Sequence, residues 1–164
     1  IFRLLRRLSG RAGGLLRKQI LKKLSKFNER LSDLMEAKPI KSEMLAAEIG
    51  VTGSVVRRWT YNDTNIQLKN LVKLADYFDC SVDFLTGRSD KILDFTPKKR
   101  PNFYTRLIQV LKTNSISTYK IFKNTKIKGY YLQNWKNGAD PKLSSLIELA
   151  DYLDCTIDYL IGRE

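Results

Sequence analysis

Side chains able to do specific chemistry gather in two short stretches. In the first, Gly53, Ser54, Arg57 and Arg58 are spaced to share the outer face of one helix, with Val56 and Trp59 turned the other way. In the second, Gly129, Tyr130, Gln133 and Asn134 keep the same spacing around Leu132 and Trp135. Arginine can make a bidentate contact to guanine, and glutamine or asparagine can do so to adenine. A helix lying in a DNA major groove presents such a set to base edges. Ser42, Thr52, Asn62 and Asn65 near the first stretch are donors suited to phosphate oxygens, as are Thr118, Lys128, Lys136 and Asn137 near the second. Phosphate contacts position a protein without reading sequence. Exposed basic residues on a short helix are ordinarily just a solvated face, so the weight of this set depends on the elements that carry it.

Those elements are repeated. Leu68–Arg88 and Leu143–Arg163 agree at 12 of 21 positions with an offset of 75. Upstream the offset is 76, matching Phe27, Arg30, Leu31, Ile40, Gly53 and Trp59 to Phe103, Arg106, Leu107, Ile116, Gly129 and Trp135. A one-residue deletion between Trp135 and Leu143 accounts for the change. The reading is a duplication: unit 1 over 27–88, a linker over 89–102, and unit 2 over 103–164.

Within unit 1 the apolar spacing is helical throughout. Leu31, Leu34 and Met35 fit one helix, Leu45, Ala46 and Ile49 a second, and Val56 and Trp59 a third. Leu68, Leu71, Leu74, Ala75 and Phe78 form the stripe of a fourth. Ser81 caps a short fifth helix that Gly87 ends, and Thr156 and Gly162 repeat this in unit 2. Between the second and third helices, Gly50 suits a left-handed helix end, Val51 plugs inward and Thr52 caps the third helix. No strand-length alternation occurs. The fold class is therefore all-α, with five short helices per unit. Asp76, Asp79 and Asp83 are expected to cap and solvate a helix junction. Cys80 and Cys155 are expected to be reduced thiols in two separate cores.

Composition excludes several classes. The chain has 164 residues, a net charge of +13 and no histidine, which rules out Ser-His-Asp and Cys-His catalysis. Two cysteines cannot form a Cys-rich metal site. With no glycine-rich phosphate loop and no carboxylate pair in a plausible cleft, neither an enzyme nor a cofactor is expected. No apolar run is long enough for a membrane span. Nine of the net positive charges lie in residues 1–26, so residues 27–164 carry only +4. That leader fits four readings: a DNA-binding arm, a membrane-surface helix, a transit peptide, or an artefact of where the reading frame was opened. The favoured one is disorder or artefact over 1–14, with 15–26 extending the first helix.

The chained motifs resemble the Cro/phage-repressor helix-turn-helix family. Unit 1 supplies Leu45-Ala46, Gly50-Val51-Thr52, Val56, Trp59, Leu74 to Phe78 and Asp83 to Arg88. Unit 2 supplies Ile116-Ser117, Leu132, Trp135, Asn137-Gly138, Pro141, Leu149 to Leu153 and Asp158 to Arg163. The resemblance implies two tandem five-helix lambda-repressor-like DNA-binding domains, with the second helix of each helix-turn-helix in the major groove. Unit 2 departs from the pattern: Lys126 stands at the turn glycine and Lys128 at the cap, so a stiffer or distorted turn is expected there. In unit 1, Lys41 takes the cap position that Ser117 holds in unit 2.

The function expected is that of a cytoplasmic, nucleoid-associated transcription regulator of the repressor type, bacterial or phage, with double-stranded DNA as partner. Arg57 and Arg58 would favour a guanine-containing half-site, Gln133 and Asn134 an adenine-containing one. The chain would act either as a homodimer or as a covalent pseudo-dimer whose flexible linker, partly stretched, spans adjacent DNA turns. The alternative is a protein-interaction or antitoxin-like module in which one or both copies do not bind DNA.

Overall fold

The computed structural model describes residues 26–61 and 65–164. The leader through residue 25 and the candidate Asn62 lie outside the described residues. In chain order the helices are α1 over 26–37, α2 Ser42–Ile49, α3 Gly53–Tyr61, α4 Leu68–Tyr77 and α5 Val82–Leu85. They are followed by α6 Phe103–Thr113, α7 Thr118–Asn124, α8 Gly129–Lys136, α9 Leu143–Tyr152 and α10 Ile157–Ile161. Among the described residues there is no strand, only one antiparallel bridge between Gln67 and Lys142.

The expected apolar faces are the buried ones. Leu45, Ala46 and Ile49 of α2, Val56 and Trp59 of α3, and Leu68, Leu71, Leu74 and Ala75 of α4 are buried, while Phe78 is half-buried at the end of α4. Ser81 accepts the Phe84 N–H at 3.0 Å and Thr156 accepts the Tyr159 N–H at 2.9 Å, so both act as the N-caps their residue types suggest. Arg30 of α1 lies over the Phe84 ring, 4.3 Å from its centre, and Arg106 of α6 lies over Tyr159 at 4.8 Å. These cation–π contacts tie the first helix of each half to its last.

The two halves do not form separate cores. Their buried side chains make one continuous apolar cluster from Phe27 to Ile161. Cys80 is buried and Cys155 half-buried in it, and burial pushes their thiols up to about 12 and about 11. The expectation of independent cores overlooked the contact made by α5 with α10 and by the starts of α4 and α9.

That contact is reciprocal. The Leu68 N–H donates to the Pro141 carbonyl and the Leu143 N–H to the Ile66 carbonyl, each at 2.8 Å. The Lys69 N–H donates to Asp140 Oδ2 at 2.7 Å, and the Ser144 N–H donates to Asn65 Oδ1 at 2.9 Å. A helix begins with N–H groups that lack intrahelical partners. Gln67 and Lys142, which precede α4 and α9, provide no side-chain cap. Each half therefore caps the other's helix.

Charged groups repeat the exchange. Arg88 binds Asp83 of its own half at 3.0 Å and Asp151 of the other at 2.5 Å. Arg163 binds Asp158 of its own half at 2.7 Å and Asp76 of the other at 2.6 Å. Asp76 and Asp83 thus do not merely solvate a helix junction, as their types suggested. Asp83 is 5% exposed and Arg163 2%. Burial opposes the Arg88 charge, but Asp151 and Asp83 outweigh it and raise its pKa.

Residues 89–102 are irregular yet pinned rather than a flexible coil. The Ile92 carbonyl accepts the Ser81 N–H at 2.6 Å, the Lys98 N–H donates to the Arg163 carbonyl at 2.9 Å, and Arg30 pairs with Asp90 at 3.2 Å. The spacing of the two halves follows from their direct contact, not from linker reach.

Candidate nucleic-acid interface

The first candidate surface is built by α2, its turn and α3. Gly50 ends α2 at φ +72°, a conformation unfavourable for a residue with a Cβ, and its N–H donates to the Ala46 carbonyl. Lys73 of α4 reaches the Ile49 carbonyl at 2.7 Å and satisfies another free group at that helix end. Val51 is half-buried against the core, as a turn plug should be. With Val56 at 0% and Trp59 at 3% exposure, α3 is locked in rotation, and Ser54, Arg57 and Arg58 are left exposed.

Glu43 carries no strong signal in its type, and the structure makes it part of this surface. Its carboxylate pairs with Arg57, and it lies over Gly53, where an added Cβ would stand 3.1 Å from Glu43 Oε1. A hydrogen bond from its own backbone N–H, then the Arg57 and Lys41 charges, hold its carboxyl below the usual value. The sequence signal is an acid in the first turn of the helix before α3. Thr52 and Ser54 share a hydroxyl hydrogen bond at 3.0 Å at the start of α3. Ser42 is half-buried in the first turn of α2, after Lys41, which offers no side-chain cap.

Asn65 corrects the sequence reading. Expected at a phosphate, it instead donates to Ser144 Oγ at 2.7 Å while accepting the Ser144 N–H. Both ends of its amide are committed to the contact between halves.

The second surface has the same helix order with a different turn. Lys126 does not adopt the left-handed conformation of Gly50. Instead α7 stops at Asn124, and Thr125 leaves it in extended conformation at φ −128°. The Lys126 N–H donates to the Glu148 carboxylate, and the Ile127 N–H donates to Thr125 Oγ1 at 3.0 Å. Glu148 sits partly buried, and desolvation raises its pKa. A side chain and a hydroxyl thus do the work of the absent glycine, avoiding the cost of that conformation for an L-residue.

Leu132 and Trp135 are buried in α8, and Trp135 meets Phe103 edge-on at 5.2 Å. Gly129, Tyr130, Gln133, Asn134 and Lys136 are exposed, as are Lys128 just before the helix and Asn137 just after it. Gln133 donates to Asn137 at 3.3 Å. Tyr130 is 57% exposed and stacks on the half-buried Tyr131 at 4.2 Å, which makes a flat apolar shelf beside the polar groups. Thr118 is half-buried in the first turn of α7, after the Ser117 cap.

Chemically, these two surfaces offer hydrogen-bond donors and planar groups for base edges and phosphates. Among the described residues no cluster of His, Cys, Asp and Glu could hold a metal ion. Nor is any described helix long and apolar enough to cross a membrane. No curated protein and no solved structure matches the chain. Residues 31–85, from within α1 to the end of α5, match the model of the helix-turn-helix family HTH_3, which supports a Cro/C1-type DNA-binding helix-turn-helix in this segment.

Proposed function

We propose that the protein is a sequence-specific binder of double-stranded DNA that regulates transcription as a repressor, by occupying an operator and excluding polymerase. The observation that carries this is α3. It is the second helix of a helix-turn-helix, held by buried Val56 and Trp59, with Ser54, Arg57 and Arg58 on its exposed side. It also lies inside the segment that matches the family model. In this reading residues 27–88 and 103–164 are tandem DNA-binding domains, α8 is the second reader, and Thr52, Ser42, Thr118, Lys128, Lys136 and Asn137 meet phosphates. The likeness of helix order in the two halves supports the second copy.

Arg57 and Arg58 select guanine under α3, and Gln133 and Asn134 select adenine under α8, each good contact discriminating by about 1–3 kcal/mol. Selection from random duplex DNA with the whole chain tests this. One enriched motif with a guanine-containing part that disappears in the Arg57→Ala/Arg58→Ala variant is expected. Operator preference unchanged in that variant would remove α3 as a reader.

A further inference from the structure

We propose that a single chain holds two different half-sites in inverted order at one fixed spacing, so that its operator is inverted in layout but not palindromic in sequence. This rests on the DNA-binding reading above and adds its geometry. Two domains strung along a chain would be expected to lie head to tail and to read direct repeats. Head-to-tail packing uses different patches on the two partners, whereas a two-fold axis makes each partner use the same patch. The contact between these halves is of the second kind. Asp83 and Asp158 exchange hydrogen bonds, Arg88 and Arg163 each cross to an acid of the other half, and the helix starts at Leu68 and Leu143 are capped in both directions.

In every one of these exchanges the residues playing the same part in the two halves are 75 positions apart, which is the offset of the duplication over its C-terminal part. We take that axis to relate the two halves as wholes, and with them α3 and α8, because the helix order is the same in both. Recognition helices related by a two-fold read half-sites of opposite sense, one DNA turn or a multiple of it apart. The side chains on the two helices differ, so the half-sites differ. The patch through which one half could pair with a second chain is already filled by the other half, so one chain suffices per operator.

The test is selection from random duplex DNA with the full chain, followed by stoichiometry on the enriched sequence. Two dissimilar half-sites in inverted order, one chain per duplex, are expected. Inserting five base pairs, about half a turn, between them should lower affinity about 100-fold or more, since the second contact loses its effective concentration. Arg57→Ala should relax one half-site only and Gln133→Ala only the other. Half-sites in direct order, variable spacing, a single half-site, or two chains on a true palindrome would each overturn the inference while leaving the DNA-binding reading intact. Failure to enrich any sequence would overturn that reading, and the inference with it.

Discussion

Asp83 and Asp158 cap each other: the Asp83 N–H donates to Asp158 Oδ2 and the Asp158 N–H to Asp83 Oδ2, both at 3.0 Å. Two short helices, α5 and α10, thus start against one another, and each carboxylate fills an orphan N–H of the other half. The second oxygen of each goes to an arginine of its own half, Arg88 or Arg163. Two buried carboxylates side by side would repel. Two guanidiniums and two N–H groups make the arrangement tolerable.

Arg163 is the buried arginine of this network, and its removal strands Asp158. Breaking a buried pair by deleting one partner costs about 3–5 kcal/mol. Arg163→Ala should lower the free energy of unfolding by that order in urea titrations. An unchanged midpoint would show that the network contributes nothing to stability.

The caps exchanged between halves carry a smaller share. Asp140→Ala removes the side-chain acceptor of Lys69 N–H, and Asn65→Ala that of Ser144 N–H. Each should cost about 1 kcal/mol, the usual value of a helix cap. Hydrogen exchange should speed up at the first turn of α4 in the Asp140 variant and of α9 in the Asn65 variant. Exchange unchanged at those helix starts would refute capping in trans.

Burial is the main cause that raises the Asp158 carboxyl from 3.8 to about 6, opposed by the Asp83 N–H and by Arg163. A carboxyl that holds its proton more tightly when folded binds more protons in the native than in the unfolded state between those values. Its contribution to stability therefore falls as pH rises from about 4 to about 6. Carbon-detected NMR titration should find Asp158 titrating near 6. In Asp158→Asn the stability loss across this interval should disappear. A midpoint near the ordinary aspartate value would contradict the role given to burial.

Glu43 holds Arg57 and places a negative charge beside the exposed side of α3. Arg57→Ala should weaken binding to the selected duplex by about 1–3 kcal/mol. Glu43→Gln should instead strengthen it, chiefly at low salt, because a like charge facing the phosphates is removed. Fluorescence anisotropy over a range of salt concentrations separates the two effects. Weaker binding by Glu43→Gln would mean that the pair orients Arg57 rather than restrains it.

Local features were legible wherever a short stretch of chain is sufficient to create them. The stripe Leu68, Leu71, Leu74 and Ala75 buries as its spacing requires. Gly50 turns left-handed because no Cβ opposes it, and Ser81 and Thr156 cap because their hydroxyls reach an N–H three residues on. Ser54, Arg57 and Arg58 could be placed on the exposed side of α3 once Val56 and Trp59 were assigned inward. The pairing of Glu43 with Arg57 was not legible, since it depends on the crossing of two helices around a turn.

The repeat of 75 residues, the helices and their apolar faces were determined by sequence alone, because periodicity and capping act over a few residues. Only the tertiary structure decided that the two halves share one core and exchange reciprocal contacts. Asp83 reads locally as a first-turn acid, Asn65 as a loop donor and Arg88 as the end of a motif. Their partners lie 63 to 79 residues away and meet them only in the packed tertiary structure. Nothing in the spacing of a single half distinguishes a carboxylate that faces water from one that faces its own duplicate.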